Sequence, residues 1–330
     1  MKIVALGRTR ILLRAIKTLA SSGHEVVGVV TGEPADFYRA KVSDFRQLAD
    51  EIGAEFEFIS DIAADRSINR LRSFGADVAV SVNWPTLIPP TVFECFEHGI
   101  LNYHAGDLPR YRGNAAMNWA IITGESEVVH TVHEMTGELD AGPILAQRSS
   151  PITTETTIGD LYEDAERFAP EMFREVCDAL ATESLEREWQ PADPAAALRC
   201  YPRRPIDSRL DWSDGAEHLD RIVRASSEPL FGAYTYLDGT LLRVWQAHSE
   251  SPDFEWLGAP GQVAERRDSG DVAVCTGRGF LVLEEVQLKG EDRQSATAVV
   301  PSNRSRLGMD VRSELDRFQS RGNGSMAEGR

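Results

Sequence analysis

Apolar positions fall into two patterns along the chain: short unbroken runs, and stretches with helical spacing. "KIVAL" is an unbroken run closed by Gly7, which predicts a buried strand. Ile11, Leu12, Ala15, Ile16 and Leu19 then recur at helical spacing, and Gly23 stands where that helix would stop. "HEVVGVVT" predicts a second strand, so the chain opens as a parallel strand–helix–strand unit. The alternation continues with "VSDFRQLADEIG" (helix), "AEFEFIS" (strand), "SINRLRSFG" (helix) and "ADVAVSVNW" (strand). "PTLIPPTVFECF" reads as a proline-rich loop running into a short helix. "GILNYH" predicts a buried strand and "NAAMNWAIITGE" a helix. "VVHTVHEM" and "GPILAQRSSPI" follow as strands, and residues 157–180 as a long helix. Residues 1–188 therefore predict an α/β domain with a mostly parallel sheet. Residues 189–202 read as a linker, within a stretch, "EWQPADPAAALRCYPRRP", that holds four prolines. Over 203–300 the pattern becomes one helix and then short strands, with a hairpin signal at Asp238–Gly239, which predicts a small β-barrel. Residues 301–330 read as a polar tail.

The first turn narrows the chemistry. "LGRTRI" carries one glycine, whereas a dinucleotide-binding turn needs Gly-x-Gly-x-x-Gly. The opening is Rossmann-like without its phosphate turn, which argues against a nicotinamide dehydrogenase. The four cysteines are far apart and show no metal or redox spacing. No apolar stretch approaches the ~20 residues of a membrane span, and "MKIVALGRTR" lacks a signal-peptide layout. A cytoplasmic, disulfide-free protein with no membrane partner is expected. The formal net charge is −17, a field that repels nucleic acid unless a local basic patch overrides it. The basic residues are 31 Arg and 4 Lys, which fits either a GC-rich genome or a salt-adapted cytoplasm.

Candidate chemistry lies in two segments. "LNYHAGDLPRYRG" puts Asn102 and His104 at the tip of a buried strand, where open α/β sheets keep their sites. A lone histidine there is ordinarily structural. "HEMTGELDAGPIL" changes that reading, because it runs from a strand into a loop that carries Asp140. An Asp beside a His orients the ring and raises its pKa, and an Asn amide can hold an oxyanion. Asn, His and Asp suit acyl transfer to an amine, with no Ser or Cys nucleophile required. A carboxylate in an open loop is expected to add little to stability. His130 and His133 in "HTVHE" lie three apart on a predicted strand and so face opposite ways, which argues against a metal site. Trp84 and Trp119 read as core residues, and Arg203 and Arg204 as solvated.

"NYHAGDLPRYRG" and the later "LDAG" resemble the two motifs of the N10-formyltetrahydrofolate-dependent formyltransferases, at the family's spacing. "PIDSRLDWSDGAEHLDRIVRASSEPLFGAYTY" resembles the second domain shared by the tRNA and arabinose-type sugar enzymes. The resemblance spans residues 1 to about 300 and implies a Rossmann-like formyltransferase domain followed by an OB-like barrel. It implies that Asn102 holds the oxyanion, that His104 moves a proton, and that Asp140 tunes His104. It places the pterin of the co-substrate, N10-formyltetrahydrofolate, against Thr86, Leu87 and Ile88 and against Thr136, Gly137, Glu138 and Leu139. Gly106, Asp107, Leu108 and Pro109 would line the formyl-donor side. Asn114 stands where some relatives have a ligand-contacting Arg. No metal is implied, and a homodimer is compatible. "GDLP" in place of "SLLP" brings a carboxylate, Asp107, into a normally apolar loop, and Ala116 replaces a frequent Pro.

The acceptor has three readings: the amine of an amino-sugar nucleotide, methionyl-tRNA, or none, in a non-catalytic ligand-binding relative. The filled triad argues against the last. Residues 203–300 hold 11 Lys/Arg against 17 Asp/Glu, and the loop after the second strand carries more acidic than basic residues. Both observations oppose tRNA, so the sequence favours a nucleotide sugar, which needs only one or two placed Arg.

Overall fold

The computed structural model describes residues 1–35 and 37–308. They form two units, residues 1–120 with 125–203, and residues 121–124 with 204 onward. The first unit begins β1 (Lys2–Gly7), α1 (Arg10–Ser21), β2 (Glu25–Thr31), α2 (Val42–Ile52), β3 (Glu55–Phe58) and α3 (Asp65–Ser73). It continues β4 (Val78–Val82), α4 (Pro90–Phe93), β5 (Ile100–His104), β6 (Arg112–Gly113) and α5 (Ala116–Thr123). β7 (Glu127–Glu134), β8 (Ile144–Pro151), α6 (Ile158–Ala181) and β9 (Arg199–Cys200) complete it.

Seven strands make one sheet in the order β3-β2-β1-β4-β5-β7-β8. β3 through β5 run parallel, whereas β7 and β8 are each antiparallel to their neighbour. Covered on both faces, β1, β4 and β5 read as near-continuous apolar runs. One apolar cluster joins Ile3, Ala5, Val80, Leu101 and Tyr103 to α1 and to Ala169 and Phe173 of α6. The other joins Val4, Leu6, Ala79 and Ile100 to Ile88, Val92 and Phe96. α6 is fixed at its start by a capping box in which Thr157 and Asp160 exchange side-chain and backbone bonds. The polar exceptions in the central strands, Ser81, Asn102 and His104, lie toward the carboxyl ends, where crevices of open α/β sheets form.

The second unit holds α7 (Ala216–Arg224), β10 (Ala233–Leu237), β11 (Thr240–Glu250), β12 (Val263–Arg266), β13 (Val272–Cys275), β14 (Phe280–Leu288), β15 (Gln294–Ser295) and α8 (Ala296–Val299). Its antiparallel sheet runs β10-β11-β14-β13-β12. Asp238 and Gly239 form the two-residue turn between β10 and β11, both at positive φ, as such hairpins require. Leu307 bridges Leu237 and Arg306 bridges Gln262, so one short segment links both edges of the sheet into a barrel. Leu307 is buried there, which places this part of the expected polar tail with the barrel. The tail beyond residue 308 lies outside the described residues. Among the described residues, no helix is long and apolar enough to cross a membrane.

Candidate active site

β5 delivers Asn102 and His104 to the same face of the sheet, two residues apart. His104 Nε2 donates to the carbonyl of Tyr111 at 2.7 Å. A carbonyl can only accept, so this nitrogen carries the hydrogen. Nδ1 on the other side of the ring faces Asp140 Oδ2 at 3.7 Å. Both partners sit on strained backbone, with Tyr111 at φ 57° and Asp140 at φ 50°. Left-handed φ in a non-glycine residue costs ~1–3 kcal/mol and persists where its surroundings over-determine it. The two loops thus clamp His104 from opposite sides.

Asn102 is opposite His133 in the antiparallel β5–β7 pair. Its Nδ2 lies 3.1 Å from His133 Nε2. His133 Nδ1 donates to the Glu134 carbonyl at 2.9 Å, which leaves Nε2 to accept from the amide. The same Nε2 is 3.6 Å from Asp140 Oδ1. Asp140 therefore stands between two imidazoles, and its Oδ2 also accepts from the Gly113 amide at 2.8 Å. Burial pushes the Asp140 carboxyl up, but the charge of a neighbouring imidazolium, His104 foremost, and the Gly113 N–H outweigh it and hold the group well below the usual carboxylate range. Asp140 is buried and bonded, unlike the open-loop carboxylate expected from the sequence.

His133 and Gln190 take part without a motif to announce them. The Gln190 amide nitrogen donates to the carbonyls of Asp140 (2.9 Å) and Gly142 (2.7 Å), and its oxygen accepts from Arg112 Nε (3.0 Å). His133 was legible only as the residue across from Asn102, once β7 is known to run antiparallel to β5. His130 faces the other way, against Tyr103 Oη, Ser150 Oγ and the Phe168 ring. Burial lowers its pKa to about 4, with Asp164 opposing and Arg167 adding to the shift. No group of three or more His, Cys, Asp or Glu among the described residues is placed to hold a metal ion.

The remaining sequence candidates sit on loops around this cluster. Gly106 closes on His104: a Cβ there would lie 2.5 Å from Nε2 and 2.7 Å from the Tyr111 carbonyl, so glycine lets the loop pass. The Gly106 carbonyl accepts from Thr131 Oγ1 at 2.8 Å. Leu108 is buried, Pro109 half-buried, and Asp107 exposed. Partial burial raises the Asp107 carboxyl, against the pull of Arg110. Thr86 and Leu87 are exposed, Leu87 to 75%, while Ile88 anchors their loop in the core. The loop of Thr136, Gly137, Glu138 and Leu139 passes near Pro90: a Cβ on Gly137 would lie 3.7 Å from the Pro90 ring. Asn114 is exposed and tied by its N–H to the Cys200 carbonyl. An exposed Leu87 beside open backbone suits a flat, partly apolar ring, and the Asn102/His104/Asp140/His133 cluster can hold an oxyanion and move a proton.

The linker packs against the same loop. β9 pairs with β6, aligning Arg112 with Arg199 and Gly113 with Cys200. Gly113 (φ 103°) is required there, since a Cβ would meet the Cys200 carbonyl at 2.3 Å. Trp119 Nε1 donates to the Tyr201 carbonyl at 2.9 Å, and the Arg203 guanidinium lies 6.0 Å from the Trp119 ring centre. Trp119 thus anchors the linker instead of filling the core, and Arg203 is not simply solvated. Residues 108–124 and 194–206 together hold five Arg and no Asp or Glu, in a chain of net charge −17.

The profile of the formyl transferase family matches residues 1–177, and that of the formyl transferase C-terminal domain matches residues 203–304. The methionyl-tRNA formyltransferase of Citrifermentans bemidjiense is 32% identical over 301 residues, 90% of this chain and 92% of that one. Among solved structures, the N-formyltransferase from Helicobacter canadensis, in complex with folinic acid and dTDP-3-aminofucose, superposes with a TM-score of 0.63 at 15% identity. That match covers 86% of this chain and 98% of the other. HypX from Aquifex aeolicus in complex with tetrahydrofolic acid superposes with a TM-score of 0.60 at 19% identity, over 92% of this chain and 47% of that longer one.

Proposed function

The chain belongs to the formyl transferase family, and from that premise we propose that it moves a formyl group from N10-formyltetrahydrofolate to the α-amino group of methionyl-tRNA. The formyl donor is a co-substrate, taken between the Thr86–Ile88 and Thr136–Leu139 loops and beside Gly106–Pro109. The neutral amine attacks the formyl carbon, a C–N bond forms, and the carbonyl oxygen becomes an oxyanion. The Asn102 amide N–H not given to His133 stabilises that charge; such a donor is worth ~10²–10³ in rate. Collapse breaks the bond to N10 and returns the carbonyl. The proton lost by the amine passes through His104 to N10, with Asp140 and the Tyr111 carbonyl holding the ring in place.

The observation that carries the acceptor is likeness over both units to a methionyl-tRNA formyltransferase, at 32% identity and 90% of the chain. The acidic balance of residues 203–300 and of the loop after β2 pointed instead to a nucleotide sugar, but neither takes in the β6–β9 pair beside the site. Phosphates are met by the surface they touch. Beside the site, Arg199 in β9 and Arg203 against Trp119 lie on the linker that pairs with β6, whereas Arg110 is paired with Glu125 and Arg112 bonded to Gln190. The fold likeness to a sugar N-formyltransferase does not separate the two acceptors. An acceptor screen tests the reading: N10-formyltetrahydrofolate is supplied with methionyl-tRNA or with dTDP- and UDP-amino sugars, and tetrahydrofolate release is followed. Release with the charged tRNA alone is expected; release with an amino sugar alone would replace tRNA by the sugar.

A further inference from the structure

Gln190 sits in the linker, yet each polar atom of its side chain is committed to the loops that form the site. Its nitrogen donates to the Asp140 carbonyl at 2.9 Å and the Gly142 carbonyl at 2.7 Å. Its oxygen accepts from Arg112 Nε at 3.0 Å and also from Arg112 Nη2. Reversing the amide would set oxygen against two carbonyls and nitrogen against a guanidinium, so its orientation is fixed. One strand of consequence runs to Asp140. That residue is held at φ 50°, in the left-handed region, and from there its carboxylate faces His104 and His133 and accepts from the Gly113 N–H. A second runs to Arg112, which begins the two-residue strand that carries Gly113. Gln190 therefore grips both ends of the Gly113–Asp140 hydrogen bond.

We propose that Gln190 is a positioning residue for Asp140, acting from the linker to hold the carboxylate on His104. The role rests on the formyl-transfer reading. Without the two bonds from the Gln190 nitrogen, the Asp140 backbone can relax toward ordinary φ, and its carboxylate then swings away from the ring.

Gln190→Glu and Gln190→Met test this. The glutamate keeps an acceptor for Arg112 and loses both donors to the Asp140 loop; the methionine keeps the length and loses every bond. Each is expected to lower kcat about tenfold to a hundredfold, since a misplacement near 1 Å has effects of that order. KM for N10-formyltetrahydrofolate should change less than kcat, because Gln190 bonds the loop beyond Leu139 and replaces no group proposed to touch the donor. On an Asp140→Asn background neither variant should lower kcat further. The ring 15N signals of His104 and His133 should move in both variants, and that of His24, on the far end of the sheet, should not. Parental kcat in Gln190→Glu, or full additivity with Asp140→Asn, would overturn the proposal. So would unmoved His104 and His133 signals, which can be read with no turnover at all. An inactive parent whose histidine signals still respond to Gln190→Glu would instead sink the formyl-transfer reading and leave the positioning role standing.

Discussion

The Asn102 amide donates to Nε2 of His133 across 3.1 Å, so the orientation of an oxyanion donor is set by a histidine on the neighbouring strand. His133→Leu removes that acceptor and lets the amide turn. A fall in kcat of ~10-fold or more is expected, toward the loss seen when an oxyanion donor is removed. Steady-state kinetics on the variant, with circular dichroism to confirm its fold, checks it.

Asp140→Asn keeps the shape and removes the charge. Its loss should lower kcat by ~10²-fold or more, the scale of general acid–base effects. Stability should fall too, because the buried carboxylate is held below its ordinary range, by His104 foremost and by the Gly113 amide. A depressed carboxyl stabilises the fold above the unfolded value of about 4, and that contribution is lost as pH falls through the folded value. The gap in Tm between parent and variant should therefore be widest at neutral pH and narrow below about pH 4.

His130 works in the other pH window. Its folded pKa of about 4 lies below the unfolded value of about 6.5. The unfolded chain binds a proton across that interval while the folded ring stays neutral, so stability present above pH ~6.5 is lost toward pH 4. His130→Gln should flatten the decline of Tm between those limits, measured by thermal melts at half-unit steps.

Arg199→Ala should weaken binding of tRNA whatever its sequence. Each phosphate contact contributes about one unit to the slope of log K against log salt, so the variant should lose roughly that much. Titration at several salt concentrations reads both effects. Affinity for the folate donor should not change.

The strands and helices were legible because each buried strand is an apolar run and each helix repeats its apolar face, as in "KIVAL" and Ile11–Leu19. Asn102, His104 and Asp140 stood out because polar groups at the ends of such runs break the pattern. His133 and Gln190 did not. His133 lies within an apolar strand whose direction the sequence leaves open, and Gln190 is a polar residue in a proline-rich linker, where polarity carries no signal. The acceptor was not legible for a related reason: the charge balance of residues 203–300 and of the loop after β2 says nothing of the β6–β9 pair, a long-range contact that brings arginines together beside the site.

The most direct test supplies N10-formyltetrahydrofolate labelled in the formyl carbon together with methionyl-tRNA, using the parent and Asp140→Asn side by side. Label should enter the aminoacylated tRNA, come away as N-formylmethionine on mild base hydrolysis, and accumulate ~10²-fold more slowly with Asp140→Asn. Label that never enters the tRNA, or that enters equally fast with both proteins, would contradict the account.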